Sequence, residues 1–415
     1  MAVVVFILAE TVGLWYVNSV LVVPEGRLGA ANWIYQFSIV SCMLSLTQVP
    51  YTAAIIAHER MAIYAWLGLV EAIFKLTIVW ILTFTDSVDK LILNGALLMT
   101  WSIGSQLYYR YYCIKHFTEC KLVYVKEREY YKSMLSFSLW DIIGIACSSG
   151  YSQVLNLMMN FFFGVVVNAA KGIVTMVDTA IQQFSNGFMT AVNPQLVKLY
   201  ANKKYVEMVK LINRSSKYAG ILLCTLYIPV FIKADCLLEL WLKEVPEYSG
   251  LFLRCMIMTC VVRAPAKPVV LAVHATGNIK NLNIFAGGTS LFLNLPVTLL
   301  LYKMGYPPQI CFYVSLCVNI ICSFIELLIL RKQVALFSIK RYCREVYAVC
   351  FGVEFVSFLF VEFVNLHLDY QNFISLVIVS VASLFANGVL TYFIVADAET
   401  RHKINSFVKE KLNNI

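Results

Sequence analysis

Charge is what this chain has least of. Only 14% of its 415 residues are Asp, Glu, Lys or Arg, against 60% hydrophobic, and the surface of a water-soluble fold of this length needs many more charges. A soluble reading is excluded. The chain also lacks a G-x-x-x-x-G-K-[ST] phosphate loop, so ATP hydrolysis within it is not expected. Its five histidines form no His-x-x-x-His pair or carboxylate cluster, which argues against a metal centre. The thirteen cysteines fall mostly inside apolar stretches with no C-x-x-C, reading as small buried apolar residues rather than a disulfide framework or zinc site. No cofactor is expected.

What remains is apolar sequence in blocks. Twelve stretches of about 20 mostly apolar residues fill the chain, at 2–22, 33–55, 61–84, 91–113, 135–162, 165–191, 217–240, 249–274, 280–303, 308–330, 346–366 and 372–396, each about the length a helix needs to cross a bilayer. A lipid-exposed backbone must satisfy its own hydrogen bonds, and the alternation of a barrel strand is missing, so the expected fold class is all-α and polytopic. If Met1 starts on the cytoplasmic side, the segments 56–62, 113–132, 192–217, 275–280, 330–345 and 396–415 hold about 22 Lys and Arg, and the outer ones about 4. The expectation is an inner-membrane protein with both termini cytoplasmic. The formal net charge of +9 then belongs to inner loops facing anionic headgroups, and nucleic acid is not an expected partner.

Two places in the chain nearly repeat each other. Leu14-Trp15 precedes Val23-Pro24-Glu25 and an apolar stretch, and Leu240-Trp241 precedes Val245-Pro246-Glu247 and another. Pro50 precedes Ala57-His58-Glu59-Arg60-Met61, and Pro268 precedes His274-Ala275-Thr276-Gly277-Asn278. Both pairs give an offset of about 220 residues, the mark of internal duplication in parallel repeats. On that register spans five and six have no counterpart, so about two helices are expected to be missing from the N-terminus. A cleaved signal peptide is the competing reading, but the opening segment lacks a basic start and carries Glu10. The expected domains are an incomplete four-helix bundle at 1–113, a six-helix bundle at 133–330, two extra helices at 346–396 and a cytoplasmic tail at 397–415.

The motifs Ala57-His58-Glu59-Arg60-Met61, Val167-Asn168-Ala169-Ala170-Lys171-Gly172, Val192-Asn193-Pro194-Gln195, Leu240-Trp241-Leu242-Lys243 with Val245-Pro246-Glu247-Tyr248, and Ala275-Thr276-Gly277 carry a resemblance over nearly the whole chain. It resembles the lipid-linked oligosaccharide flippases of the multidrug/oligosaccharidyl-lipid/polysaccharide exporter superfamily. The resemblance implies two six-helix bundles plus two C-terminal helices, fourteen in all, rocking around a central polar cleft. This chain departs from it by lacking the first two helices, and by Lys171 where similar proteins usually carry Arg, which keeps a charge but not a bidentate grip.

On span six, Asn168, Lys171, Thr175, Asp178, Gln182, Asn186 and Asn193 recur at steps of three or four with one gap of seven, and so share one helical face. Span five carries a thinner stripe of Asp141, Ser148, Ser152, Asn156 and Asn160. Polar faces in membrane helices either line a wet cavity or act as interhelical glue; the cavity is the expectation, with Asn168, Lys171, Asp178 and Gln182 facing the space between bundles. Lys171, Arg254, Arg263 and Lys267 are the cations available to a lipid pyrophosphate. The structural alternative pairs each with a carboxylate, for instance Lys171 with Asp178. Glu71 and Lys75, one turn apart, read as a self-neutralising pair.

The sequence therefore points to a non-enzymatic flippase moving a lipid-linked oligosaccharide across the inner membrane for surface-polysaccharide assembly. Its partners would be that lipid, the bilayer and polysaccharide assembly proteins. An ion-coupled drug antiporter and a polysaccharide polymerase or ligase are the alternatives, the last disfavoured by outer loops of only about 3–12 residues.

Overall fold

The computed structural model describes residues 2–19, 27–85, 89–120, 128–368, 372–397, 401–402 and 405–406. Every regular element among them is helical. Nine helices among the described residues are long and apolar enough to cross a membrane, so the chain is a multi-pass, all-helical membrane protein. It falls into two compact units, Met1–Lys126 and Glu127–Ile415.

In the first unit, α1 is a run of three helical pieces, Ala2–Leu8, a π-turn at Ala9–Gly13 and Leu14–Ser19. Three longer helices follow: α2 (Leu28–Ala57), α3 (Met61–Phe84) and α4 (Lys90–His116). The Tyr35 hydroxyl of α2 donates to the Ala9 carbonyl at 2.6 Å, tying α1 to α2. Ile55, Leu67, Tyr109 and Cys113 form the buried contact of α2, α3 and α4. Asp89 caps α4 by accepting from the Leu91 amide at 3.0 Å, and Lys115 and His116 occupy its last turn, where positive charge suits the helix dipole. Beyond the helix ends, His58 stacks on Phe117 and hydrogen-bonds Glu119, a bond that holds the Glu119 carboxyl below its ordinary range.

The second unit begins with α5 (Arg128–Ala201), which is two helices joined at Gly164. There φ is +83° and ψ 179°, a region open essentially to glycine alone, and the chain doubles back. The arms lie side by side, since Lys171 of the second donates to Asn156 of the first at 2.7 Å. Then come α6 (Tyr205–Ile232), the short α7 (Ala234–Trp241), α8 (Ser249–Ala275), α9 (Leu282–Lys303), α10 (Ile310–Gln333), α11 (Ile339–Leu366) and α12 (Phe373–Val395).

Helices depart from the expected spans where charges meet the chain. The span expected at 217–240 and the inner loop expected at 192–217 are replaced by α5 running on to Ala201 and α6 starting at Tyr205, with Lys203 in a left-handed turn between them. The extension is amphipathic: Met208, Ile212, Ser215 and Ser216 are buried, whereas Lys204, Lys210 and Arg214 are exposed. Hydropathy ends where the lysines begin, but backbone hydrogen bonding does not. At the other end, Pro229 lies in the last turn of α6, and the chain steps at Lys233 into α7.

The two largest of this unit's buried clusters hold most of it together. Met159, Val174, Leu223, Tyr227, Phe252 and Leu253 make one; Leu196, Met208, Ile212, Leu330, Phe337 and Tyr342 make the other. Outside them large apolar side chains such as Phe161, Phe292 and Leu366 are exposed. Between lipid-facing helices the hydrophobic effect gives little, so close packing and interhelical hydrogen bonds must supply the cohesion. Tyr342 is an instance: fully buried, its hydroxyl sits 2.8 Å from Ser216 Oγ and donates to the Pro265 carbonyl at 2.7 Å.

Candidate functional site

The second arm of α5 presents its polar stripe to helices of its own unit. Asp178 is the centre of a connected network. It accepts from the Tyr227 hydroxyl of α6 at 2.6 Å, from the Gln182 amide at 3.2 Å and from the Cys260 thiol of α8 at 3.2 Å. The carbonyl end of Gln182 accepts from the Lys267 ammonium, which also reaches Ser185 Oγ at 3.1 Å. One amide therefore joins a carboxylate to a cation that does not touch it. Three donors converge on one carboxylate oxygen, so the half-buried Asp178 side chain is well supplied with hydrogen bonds.

Lys171 lies one level away along the same face. It is 8% exposed, and its hydrogen bond goes to the Asn156 carbonyl oxygen of the first arm at 2.7 Å, not to Asp178. Within the bundle Lys171 thus rests on a neutral amide, and Lys267 on a neutral amide and a hydroxyl.

The two arginines are held differently. Arg263 donates from one nitrogen to both oxygens of Glu326 on α10, at 2.8 and 3.0 Å, and Arg254 donates to Asp235 on α7 at 2.7 Å and to the Phe231 carbonyl at 3.3 Å. Pro265 and Pro268 do not break α8; a single 3₁₀ turn, Ala264–Ala266, carries the helix through. Arg263 and Lys267 nevertheless serve different neighbours, one on α10 and the other on α5. In the first unit Lys75 pairs with Glu71 at 2.6 Å.

No family model, curated protein or solved structure matches the chain. The site is therefore read from its own chemistry.

Of the remaining stripe residues, Asn168 keeps its side-chain oxygen buried without a hydrogen-bond partner, and Asn186 is exposed, its backbone carbonyl accepting from Thr190. On the first arm Asp141 is half-buried and Asn160 is exposed, lining a cavity of about 610 Å³ with Lys303. Where that arm crosses α9, Gly144 meets Asn283 so closely that a Cβ would lie 2.3 Å from the amide oxygen, and Asn283 donates to the Trp140 carbonyl at 2.7 Å. Sequence reasoning missed Tyr227, Cys260 and Ser185. Ser185 follows Gln182 by three and belongs to the same helical face, so spacing could have found it. Nothing in the spacing points to Tyr227 or Cys260, which lie in apolar runs of other helices. Among the described residues no group of His, Cys, Asp and Glu is placed to hold a metal.

Proposed function

We propose that the protein is a flippase for a lipid-linked oligosaccharide, passing a polyprenyl-pyrophosphate sugar from the cytoplasmic to the outer leaflet of the inner membrane for surface-polysaccharide assembly. The observation that carries this reading is the pair of ammonium groups, Lys171 and Lys267, held inside the second unit on neutral acceptors. An intramembrane lysine costs roughly 2.5–3.5 kcal/mol to insert. A cation kept there without a carboxylate of its own is poised for an anion that arrives from elsewhere, and a pyrophosphate supplies several charged oxygens for such hydrogen bonds. Asn156, Gln182 and Ser185 would then hand their ammonium donors over to the cargo and take them back on its release. Arg254 and Arg263, each already on a carboxylate, serve the scaffold in this reading.

The test is complementation of a strain lacking its own flippase, scored by surface polysaccharide at matched expression. Lys171→Ala is expected to weaken export strongly, and Lys75→Ala to leave it near wild type, because Glu71 already neutralises Lys75. Equal loss in both, or loss at Lys75 alone, would sink the assignment of Lys171 to the cargo.

A further inference from the structure

Helix α11 carries a carboxyl in its middle that the network above does not use. Glu354 is 7% exposed, and neither of its oxygens has a hydrogen-bond partner. It lines a cavity of about 310 Å³ whose other walls are mainly apolar, with Ile228 and Phe231 from α6, Ile257 and Val261 from α8, and Phe358 from α11.

Among the described residues, Glu354 forms no ion pair, and the charged or titratable groups around it other than Cys224 are turned elsewhere. On α6, Tyr227 gives its hydroxyl to Asp178, and Lys217 lines a different cavity with Lys210 and Glu345. Cys224 stands beside the carboxyl and interacts with it; a thiol is a weak donor and brings no positive charge, and neither carboxyl oxygen meets the geometry of a full hydrogen bond. On α8, Arg263 is bound to Glu326 of α10, and Cys260 to Asp178. On α11 itself, the Cys350 thiol points to the Lys217 carbonyl at 3.8 Å. The α12 groups beside α11 do not titrate: Ser357 of α11 donates to Asn387, and Ser383 to the Thr225 carbonyl.

An ionised carboxylate left this way in the membrane interior, with no counter-ion and no donor stronger than a thiol, costs several kcal/mol. Something must neutralise it. Calcium and magnesium want about six oxygens, zinc about four ligands, and among the described residues no group of three or more His, Cys, Asp and Glu is placed to hold a metal; the cavity offers one carboxyl and one thiol in a mainly apolar wall. A proton needs only the carboxyl itself. We propose that Glu354 is a proton-binding site inside the membrane: a carboxylate oxygen takes one proton to form the neutral acid, and returns it to water when water enters the cavity.

The site does not depend on what the protein transports, and it can be tested apart from transport. Dicyclohexylcarbodiimide partitions into lipid and reacts with protonated carboxyls: the acid proton moves to a carbodiimide nitrogen while the carboxyl oxygen bonds the central carbon, and an O-to-N shift leaves a stable acylurea. The full chain in liposomes is treated, digested and mapped by mass spectrometry. Glu354 is expected to be the principal modified carboxyl, with Glu326 spared by its bond to Arg263, and the Glu354→Gln variant to lose that adduct. Infrared spectra of untreated protein should show a protonated-acid carbonyl band that is absent from the variant. Failure to modify Glu354 while other carboxyls react, or an acid band unchanged in the variant, overturns the proposal. If the variant loses carboxylate bands instead, and tetraphenylphosphonium protects Glu354 from reaction, the occupant is an organic cation and the proton is ruled out.

Discussion

At the scale of single residues, the second unit treats its charges in two ways. Arg263 and Arg254 meet carboxylates directly, whereas Lys267 reaches Asp178 only through Gln182. The bridging amide is the vulnerable member, because its loss strips a donor from the carboxylate and an acceptor from the cation together. Gln182→Ala is expected to destabilise by roughly 3–5 kcal/mol, since it withdraws two hydrogen bonds to charged groups, each worth about 1.5–3 kcal/mol. Tyr227→Phe removes one of three donors to Asp178 and should cost about 1–3 kcal/mol. Thermal unfolding in detergent compares them, and equal shifts would show that Gln182 does not bridge. Periodicity puts Lys171, Asp178 and Gln182 on one face of the second arm of α5, and their bonds run to the first arm, α6 and α8, whereas Thr175 and Asn186 of the same stripe are exposed. What that face meets was not legible, because a 3.6-residue period fixes a direction in one helix and carries no information about the helix packed there. Sequence reasoning passed over Glu326 and Glu354, single charges in apolar runs. Whether each has a partner depends on residues far away in sequence: Arg263 for the first, and for the second no counter-ion and only the Cys224 thiol beside it.

Among elements, the turns between helices decide the architecture. The expected boundary between spans five and six fell within a few residues of Gly164, where the chain reverses in a conformation that side chains disfavour. Gly164→Ala is expected to lower stability by about 1–3 kcal/mol through backbone strain, although the added methyl would meet open space. Gly172→Ala also meets open space but lies within the helical second arm, and should be neutral or stabilising by up to about 1 kcal/mol. Unfolding midpoints of the two variants separate strain from crowding, and a harmless Gly164→Ala would remove the backbone explanation. A second pair of turns bears on the duplication. Glu59 after α2 and Gly277 after α8 both adopt positive φ, 58° and 76°, and they stand one repeat offset apart in the sequence motifs. The preceding helices close at Ala57 (α2) and Ala275 (α8). Helix starts were less legible: α6 begins well before its apolar core because Lys204, Lys210 and Arg214 ride on an exposed face that hydropathy counts as loop.

For the molecule as a whole, the basic residues carry an expectation of its orientation in the bilayer. In the second unit the turn after α5, with Lys203 and Lys204, and the junction of α10 and α11, with Arg331 and Lys332 in the last turn of α10 and Lys340 and Arg341 in the first turn of α11, lie at one end, because Leu196, Met208, Leu330 and Phe337 beside them share one buried cluster. Phe252, Tyr302 and Cys311, near the turns at 242–248 and 304–309, belong to the other cluster. Those turns carry one lysine between them, Lys243. Cytoplasmic loops retain Lys and Arg because translocating them is unfavourable, so the basic end is expected to face the cytoplasm. A protease site inserted at 202–204 should be cut in inside-out membrane vesicles and resist in right-side-out cells, and one inserted at 243–247 should behave oppositely. The opposite pattern would place the basic end outside and withdraw the assigned direction of transport, since a cargo made in the cytoplasm must enter from the basic side. Cleavage of both sites from one side would go further. It would mean that α6 and α7 together do not cross the bilayer, and that the buried Asp178 network, which leans on Tyr227 of α6, lies outside the membrane interior altogether.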